Sequence, residues 1–406
     1  MAVGELLSEA LRAIRAHRLR SFLTLLGIII GVATLVGVVS VISGLNAFVQ
    51  DRVIQLAPDV YVVQKFGIIR SRDEFLDALK RRNFDWHDYE TVARTLRLAE
   101  AVAAEAIGNT AVKYRERRLA DVRVQGTTAN FGPMVRLDIV GGRYFTPSED
   151  QTAQLVTTIG ADVKDELFPQ IDPVGREILV GGVPYRVIGL LAKQGRTLGE
   201  ERDKKVFIPI RSYQRQFGSR DSLNILIQAS GGVAGLEKSV DEVRAVLRAL
   251  RHTGFNAPDP FGVVTAESLQ ELWRQISAAA FILSLLIASV SLGVGGIVIM
   301  NIMLVSVVER TQEIGVRMAL GARKRDIRRQ FLLEAALLSM LGGLVGVGLG
   351  GLAALGVRGW LDFPAHVTPG IVLLGIALSV FVGIAAGYWP ARSASNLAVV
   401  EALRSE

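Results

Sequence analysis

The sequence predicts a membrane α-helical bundle of four transmembrane helices that carries an extracytoplasmic α+β domain. Three observations predict it. Four apolar stretches are each long enough to cross a bilayer, which takes about 20 apolar residues of helix. Lysine and arginine crowd some ends of those stretches and avoid others. Between the first and second stretches lie about 230 residues in which short strands alternate with amphipathic helices.

Residues 1–20 open the chain, with Val3, Leu6, Leu7, Ala10, Leu11 and Ile14 on one helical face. That is the pattern of an amphipathic helix lying on the cytoplasmic membrane surface. A cleaved signal peptide also starts basic, but Glu5 and Glu9 interrupt this leader and the apolar run after it is too long. The first transmembrane helix covers residues 21–47, uncharged between Arg20 and Asp51. The second covers 276–308, uncharged between Arg274 and Glu309. Its length of about 33 residues rises about 50 Å against a hydrocarbon core of about 30 Å. Leu269, Leu272 and Trp273 continue its stripe upstream, so it reads as a span with a rigid stalk. The third covers 331–357 with Glu334 as its only charge, the fourth covers 367–389, and residues 390–406 form a tail.

Orientation follows from the cations. Arg12, Arg15, Arg18 and Arg20 precede the first span, and Arg310, Arg317, Arg323, Lys324, Arg325, Arg328 and Arg329 fill residues 309–330 between the second and third. The connection between the third and fourth carries Arg358 alone. The positive-inside rule makes both termini and the 309–330 connection cytoplasmic and places residues 48–275 outside. The net charge of +7 is therefore explained by topology rather than by nucleic acid, which is not an expected partner.

The spans hold no ionisable residue near their middles, and Asn301 is the one strongly polar side chain deep in the second. Ion-coupled carriers need such groups along their path, so a secondary transporter does not fit. Small residues instead recur every four positions: Gly27 and Gly31; Gly342, Gly346 and Gly350; Gly375, Ser379, Gly383 and Gly387. Such rows let helix backbones approach closely.

In the outer segment, Val60 to Gln64 reads as a strand and a helix opens near Asp85 to Glu90. Leu223 to Gln228, Val233 to Leu250 and Phe261 to Thr265 read as a β-α-β unit. The expectation is a split ferredoxin-like porter part, residues 48–125 and 221–268, with a β-rich subdomain inserted at 126–220. The alanine-rich Leu98 to Ile107 is open: propensity favours helix, the flanking pattern permits strand.

Little here could catalyse a reaction. The 406 residues contain no Gly-x-x-x-x-Gly-Lys-Ser/Thr loop, no Gly-x-Ser-x-Gly elbow and no cysteine. His87 and His252 stand without metal-ligand spacing. No catalytic residue, metal site or cofactor is expected in this chain.

The distinctive segment is Glu309-Arg310-Thr311-Gln312-Glu313-Ile314-Gly315-Val316-Arg317-Met318-Ala319-Leu320-Gly321-Ala322. Its arginines alone would suit topology and contact with anionic membrane lipid. Ile314, Val316, Met318 and Leu320, on a short helix stopped at Gly321, suit docking into a groove on a partner instead. Composition leaves both open.

These residues resemble the coupling segment of ABC permeases of the macrolide-export (MacB-like) superfamily, which includes lipoprotein-release and cell-division permeases. Glu309, Arg310, Glu313, Ile314, Gly315, Ala319, Gly321 and Ala322 match its Glu-Arg-x-x-Glu-Ile-Gly-x-x-x-Ala-x-Gly-Ala pattern. The run Leu19 to Gly31, Pro390-Ala391-Arg392 and Glu401-Ala402-Leu403-Arg404 resemble the same family; Ala398 or Val399 stands where it often has proline. The resemblance implies coupling to an ATPase through residues 309–322, with Arg317, Met318 and Leu320 among them. It also implies a dimer of permease subunits, homomeric or heteromeric, with ATP and Mg in cytoplasmic ATPase subunits. With about 20 residues before the first span, the ATPase is expected to be a separate chain. The expected function is export of an amphipathic substrate, with a periplasmic adaptor as a further partner the family allows. The alternative is an ATPase-driven signalling permease that regulates an extracytoplasmic enzyme.

Overall fold

The computed structural model describes residues 18–48, 57–194, 196–197, 200–201, 203–361, 365–399 and 402. Of the amphipathic leader expected over residues 1–20, residues 1–17 lie outside the described residues, as do Glu401, Leu403 and Arg404 of the tail, and residues 18–20 belong to the first long helix, Arg18–Phe48. The chain divides into two compact units, Met1–Val49 with Trp273–Glu406, and Gln50–Leu272.

The second unit is built on a ten-stranded sheet. Strand β1 (Val60–Gln64) lies between β12 (Gly262–Thr265) and β11 (Asn224–Ala229), and β11 pairs with β2 (Ala99–Tyr114). All these pairings are antiparallel, and the order β12-β1-β11-β2 is that of a ferredoxin-like sheet whose two halves are far apart in sequence. Alternation along β1 sends Tyr61 and Val63 to one face and Val60 to the other, each into a separate hydrophobic cluster. Helices Trp86–Thr95 and Leu236–Leu250 provide the crossovers. The first is started by a capping box in which Asp85 and Asp88 each bond the other's backbone N–H. The Tyr61 hydroxyl ties the sheet to the second helix through Ser239, 2.9 Å away. A further helix, Arg72–Lys80, is one that sequence reasoning did not anticipate; only Ala78 of it is buried.

Leu98 to Ile107 resolves as strand. Its alanines owe their conformation to pairing and burial: Ala103, Ala104 and Ala106 are packed into the core on both faces, which overrides their helical propensity. The same strand also relocates the seam of the inserted part. Residues 99–105 of β2 pair with β11, while from Glu105 onward β2 pairs with β3 (Arg117–Thr127). Strand β3 then pairs with β10 (Lys205–Pro209), β10 with β5 (Val156–Ile159), β5 with β7 (Val183–Leu191), β7 with β6 (Glu177–Val180), and β6 with β2. The hydrogen bonds thus run round a closed circuit of six strands. The expected boundary at residue 125 falls inside β3, because β2 crosses from one sheet system to the other without a break. Strand β4 (Ile139–Gly142) pairs with β7 outside the circuit, and Arg196–Thr197 and Glu200–Glu201 form a separate two-stranded pair.

Among the described residues four helices are long and apolar enough to cross a membrane, in Leu25–Asn46, Ala266–Glu309, Lys324–Trp360 and Pro369–Ser395. They are the four spans read from the sequence. The second starts ten residues before the expected 276, at Ala266, where Thr265 and Ser268 each cap the other's backbone N–H at 2.9 and 3.0 Å. The third helix begins at Lys324 rather than 331, and the fourth runs through Pro390 to Ser395, into the expected tail.

Every small residue singled out for packing sits at a close approach. A Cβ added at Gly27 would lie 2.8 Å from the Cα of Gly295 on the second helix, and one at Gly31 would lie 2.9 Å from Leu292. Gly342, Gly346 and Gly350 of the third helix face Ile28, the Ile29 carbonyl and the Ala33 carbonyl of the first. Gly375 meets Val32 and Val36, Gly383 meets Ser339, and Gly387 meets Ala335. Ser379, fully buried, occupies the space that Gly343 leaves open. Sequence reasoning missed Gly295 and Gly343, the partners on the facing helices, although each follows a serine, Ser291 and Ser339, by four residues.

Candidate functional site

The site is the connection between the second and third spanning helices. The second ends at Glu309, and a short helix, Thr311–Ala319, follows after one residue. Thr311 closes the end of the long helix by donating its hydroxyl to the Val307 and Val308 carbonyls, both at 2.9 Å. The short helix stops in a Schellman turn. Gly321 takes φ +99, its N–H bonds the Met318 carbonyl, and the Ala322 N–H bonds the Arg317 carbonyl, both at 3.1 Å. That left-handed conformation favours glycine, so the stop anticipated at Gly321 has a backbone cause.

The helix is held on the bundle by three contacts. Ile314, 3% exposed, and the buried Gly315 face the bundle, and Met318, one turn on from Ile314, packs on the cluster that holds Val307, Ile327, Phe331 and Ala391. Arg310 donates to both oxygens of Glu334, at 3.4 and 3.3 Å, and Arg317 donates to Gln330 at 2.7 Å and pairs with Glu313. Gln330 and Glu334 are one turn apart on the third helix, so Arg310 at the cap of the short helix and Arg317 within it grip one face of the next. Sequence reasoning saw Glu334 only as the single charge in an apolar run. A carboxylate there, near a cluster of arginines, was the signal that it has a partner.

The anticipated apolar face therefore divides. Ile314 and Met318 turn inward onto the chain's own bundle. Met318 is thus not a free docking residue, because the i, i+4 spacing puts it on the same side as Ile314. Val316 and Leu320 face out, Leu320 at 84% exposure. Glu309, Glu313 and Ala319 are exposed as well. Leu320 also lines a groove of about 550 Å³ whose apolar lining comes from Leu320, Ala322, Ile327 and Leu333 and whose polar lining comes from Arg317, Asp326, Arg329 and Gln330. Arg323, Lys324, Arg325 and Arg328 are exposed nearby. At the opposite ends of the first two spanning helices, Asn46 accepts hydrogen bonds from Trp273 Nε1 at 2.6 Å and Ser277 Oγ at 2.7 Å. Among the described residues no group of three histidines, cysteines or carboxylates could hold a metal.

Four spanning helices, a braced loop helix at one end and a large mixed α/β domain inserted before the second helix define a membrane permease with an extracytoplasmic domain. Residues 21–249 match the MacB-like periplasmic core domain, and residues 285–399 match the FtsX-like permease C-terminal region. The chain belongs to this family of MacB-like ABC-type permeases, multi-pass inner-membrane proteins with an extracytoplasmic domain. It is 32% identical over 405 residues to a protein of Bdellovibrio bacteriovorus named macrolide export ATP-binding/permease protein MacB, covering 99% of this chain and 62% of that one. It is 34% identical to the protein of the same name from Azoarcus sp., covering 98% and 59%. The chain thus spans about 60% of the length of the curated relatives it matches. Among solved structures, the periplasmic region of MacB from Actinobacillus actinomycetemcomitans aligns with a TM-score of 0.45 at 14% identity, covering 54% of this chain and 94% of that one. The extracellular domain of the noncanonic ABC-type transporter YknZ from Gram-positive bacteria aligns at 0.41 and 19%, covering 51% and 99%.

Proposed function

We propose that this chain couples ATP hydrolysis by a cytoplasmic ABC ATPase to movement of its outer domain, driving extrusion of an amphipathic substrate such as a drug, peptide or lipid-like molecule. ATP and Mg bind in the ATPase, whose phosphate-loop motif is absent from these 406 residues. A second permease subunit completes the assembly, a periplasmic adaptor receives the substrate, and both termini are cytoplasmic. Family membership and the names of the relatives support this reading.

The observation that carries it is the exposed Leu320 at the end of a braced helix. Lipid anchoring alone would leave no reason to fix a helix by two arginines, a buried isoleucine and a glycine cap, then turn a leucine outward. A push on Leu320 reaches the third spanning helix through the Arg310–Glu334 and Arg317–Gln330 contacts, and the second through the continuous backbone at Glu309. Spans without buried charges suit such transmission of motion better than conduction.

The test compares two variants. Leu320→Asp puts a charge in the contact and is expected to cost at least about 2 kcal/mol of binding, as anchor residues do. It should insert normally, fail to co-purify with the ATPase and lose transport. Arg328→Gln with Arg329→Gln should weaken the complex far less. The reverse ranking would make the segment a topology and lipid anchor.

A further inference from the structure

Strand β2 is shared between the ferredoxin-like sheet and the closed circuit of strands, and one of its residues belongs to both ladders. Glu105 is the last residue of β2 paired with β11, where it faces Asn224, and the first paired with β3, where it faces Thr127. Its side chain repeats the join. Asn224 Nδ2 donates to one carboxyl oxygen at 3.3 Å, and Gln125 Nε2 donates to the other at 2.7 Å. The carboxyl thus bridges β11 and β3 across the strand that separates them.

Glu105 is only 8% exposed, and its two direct partners are neutral amides. A charge kept from water in that way is costly. Two cations face it from the circuit. Arg123 of β3 is exposed, and Lys205 of β10 donates to Gln194 at 3.1 Å. The Tyr144 phenol, hydrogen-bonded to Thr127 at 2.6 Å, is pushed far up by burial and stays neutral. Helix Phe131–Met134 packs on the same face and carries no charge. Helices Trp86–Thr95 and Ile210–Phe217 lie against the other face of β2, that of Ala104 and Ala106. Burial wins: it lifts the Glu105 carboxyl above the ordinary glutamate range, although both amides and both cations pull the other way.

The bridge fits either protonation state. Gln125 Oε1 is buried with no partner among the described residues, so the carboxamide has an unused acceptor end. A half-turn exchanges its two ends in place: Nε2 donates to a carboxylate, whereas Oε1 accepts from a carboxylic acid. A proton taken from water onto Glu105 therefore keeps the link to β3 and removes the charge. We propose that Glu105 is a proton-operated latch on the seam between the ferredoxin-like sheet and the strand circuit, and that the seam is held more firmly when this carboxyl is protonated. Acidity outside the membrane then sets how stiffly the two parts of the outer domain are joined.

The test is amide hydrogen exchange on the whole purified chain in detergent, without an ATPase, corrected at each pH for the intrinsic exchange rate. Opening the seam exposes Glu105 to water, where it titrates near the ordinary value of about 4.3. The closed form holds its proton more tightly. Protection is therefore full below about pH 4, falls by up to about tenfold per pH unit above that, and levels once the closed form has ionised. This dependence is expected in the segments 99–110, 122–128 and 222–229, and not in 60–64. In Glu105→Gln, which carries the neutral bridge at every pH, the seam segments should stay protected throughout. The same fall in the glutamine variant overturns the latch. A seam that shows no fall in the unaltered chain overturns it as well, and that measurement needs no variant to fold. An equal fall in 60–64 would assign the effect to the whole domain and overturn the place given to Glu105.

Discussion

Glu149 and Asp150 are neighbours in sequence with opposite electrostatic fates. The Arg143 guanidinium, 2.7 and 2.6 Å from the two oxygens of Glu149, holds that carboxyl down at about 2. Burial pushes Asp150 up to about 6, and its Oδ1 is buried with no hydrogen-bond partner among the described residues. A carboxyl raised in the folded state lends stability that is full below its unfolded value near 4 and is lost as pH rises through about 6. The shift corresponds to roughly 3 kcal/mol. Thermal unfolding of the outer domain, followed in the purified chain, should therefore shift to lower temperature between pH 4 and pH 7. Asp150→Asn should flatten that slope, and Glu149→Gln should leave the slope in place because its own window lies below pH 4.5. An unaltered slope in Asp150→Asn would assign the dependence to another group. None of this was legible in the sequence; only the fold brings Arg143 to one and removes water from the other.

Among the elements, the helix pairs make the sharpest claim. A side chain at Gly383 would collide with Ser339 and the Ala335 carbonyl, whereas one at Gly348 meets nothing within 4 Å. Gly383→Val should destabilise the bundle by about 1–3 kcal/mol, the usual cost of overpacking, while Gly348→Ala should be neutral. Melting of the detergent-solubilised chain compares the two; equal midpoints would remove the packing role. The four-residue rows could be read from sequence because helical periodicity is local. The partner surfaces could not, since Gly295 and Gly343 gain meaning only from the facing helix. Strand β1 was legible from its β-branched run and the stop at Gly321 from its capping pattern. The switch of β2 from one set of partners to another left no mark in the chain, because pairing is non-local. Met318 was misplaced for a similar reason: its apolar character was plain, but which side faced the bundle depended on Ile327 and Phe331.

For the molecule as a whole, the arginine distribution fixes the expected direction of insertion. Lys238→Cys, exposed on the outer unit, should react with an impermeant thiol reagent in spheroplasts, and Lys324→Cys should react only after the membrane is opened. Labelling of Lys324→Cys alone would invert the topology.

The closed circuit of six strands has a consequence for solubility. An open sheet offers unpaired backbone at its margins, where chains from different molecules add on and aggregate. Running the strands back onto themselves removes most of that margin. The ten-stranded sheet ends only in β12 and β4, four residues each, and β4 is interrupted by a register shift and closes on two glycines. Two such stubs are poor templates for an incoming strand. A domain without disulfides can thus keep many strands in its fold and still resist the addition of strands from other molecules.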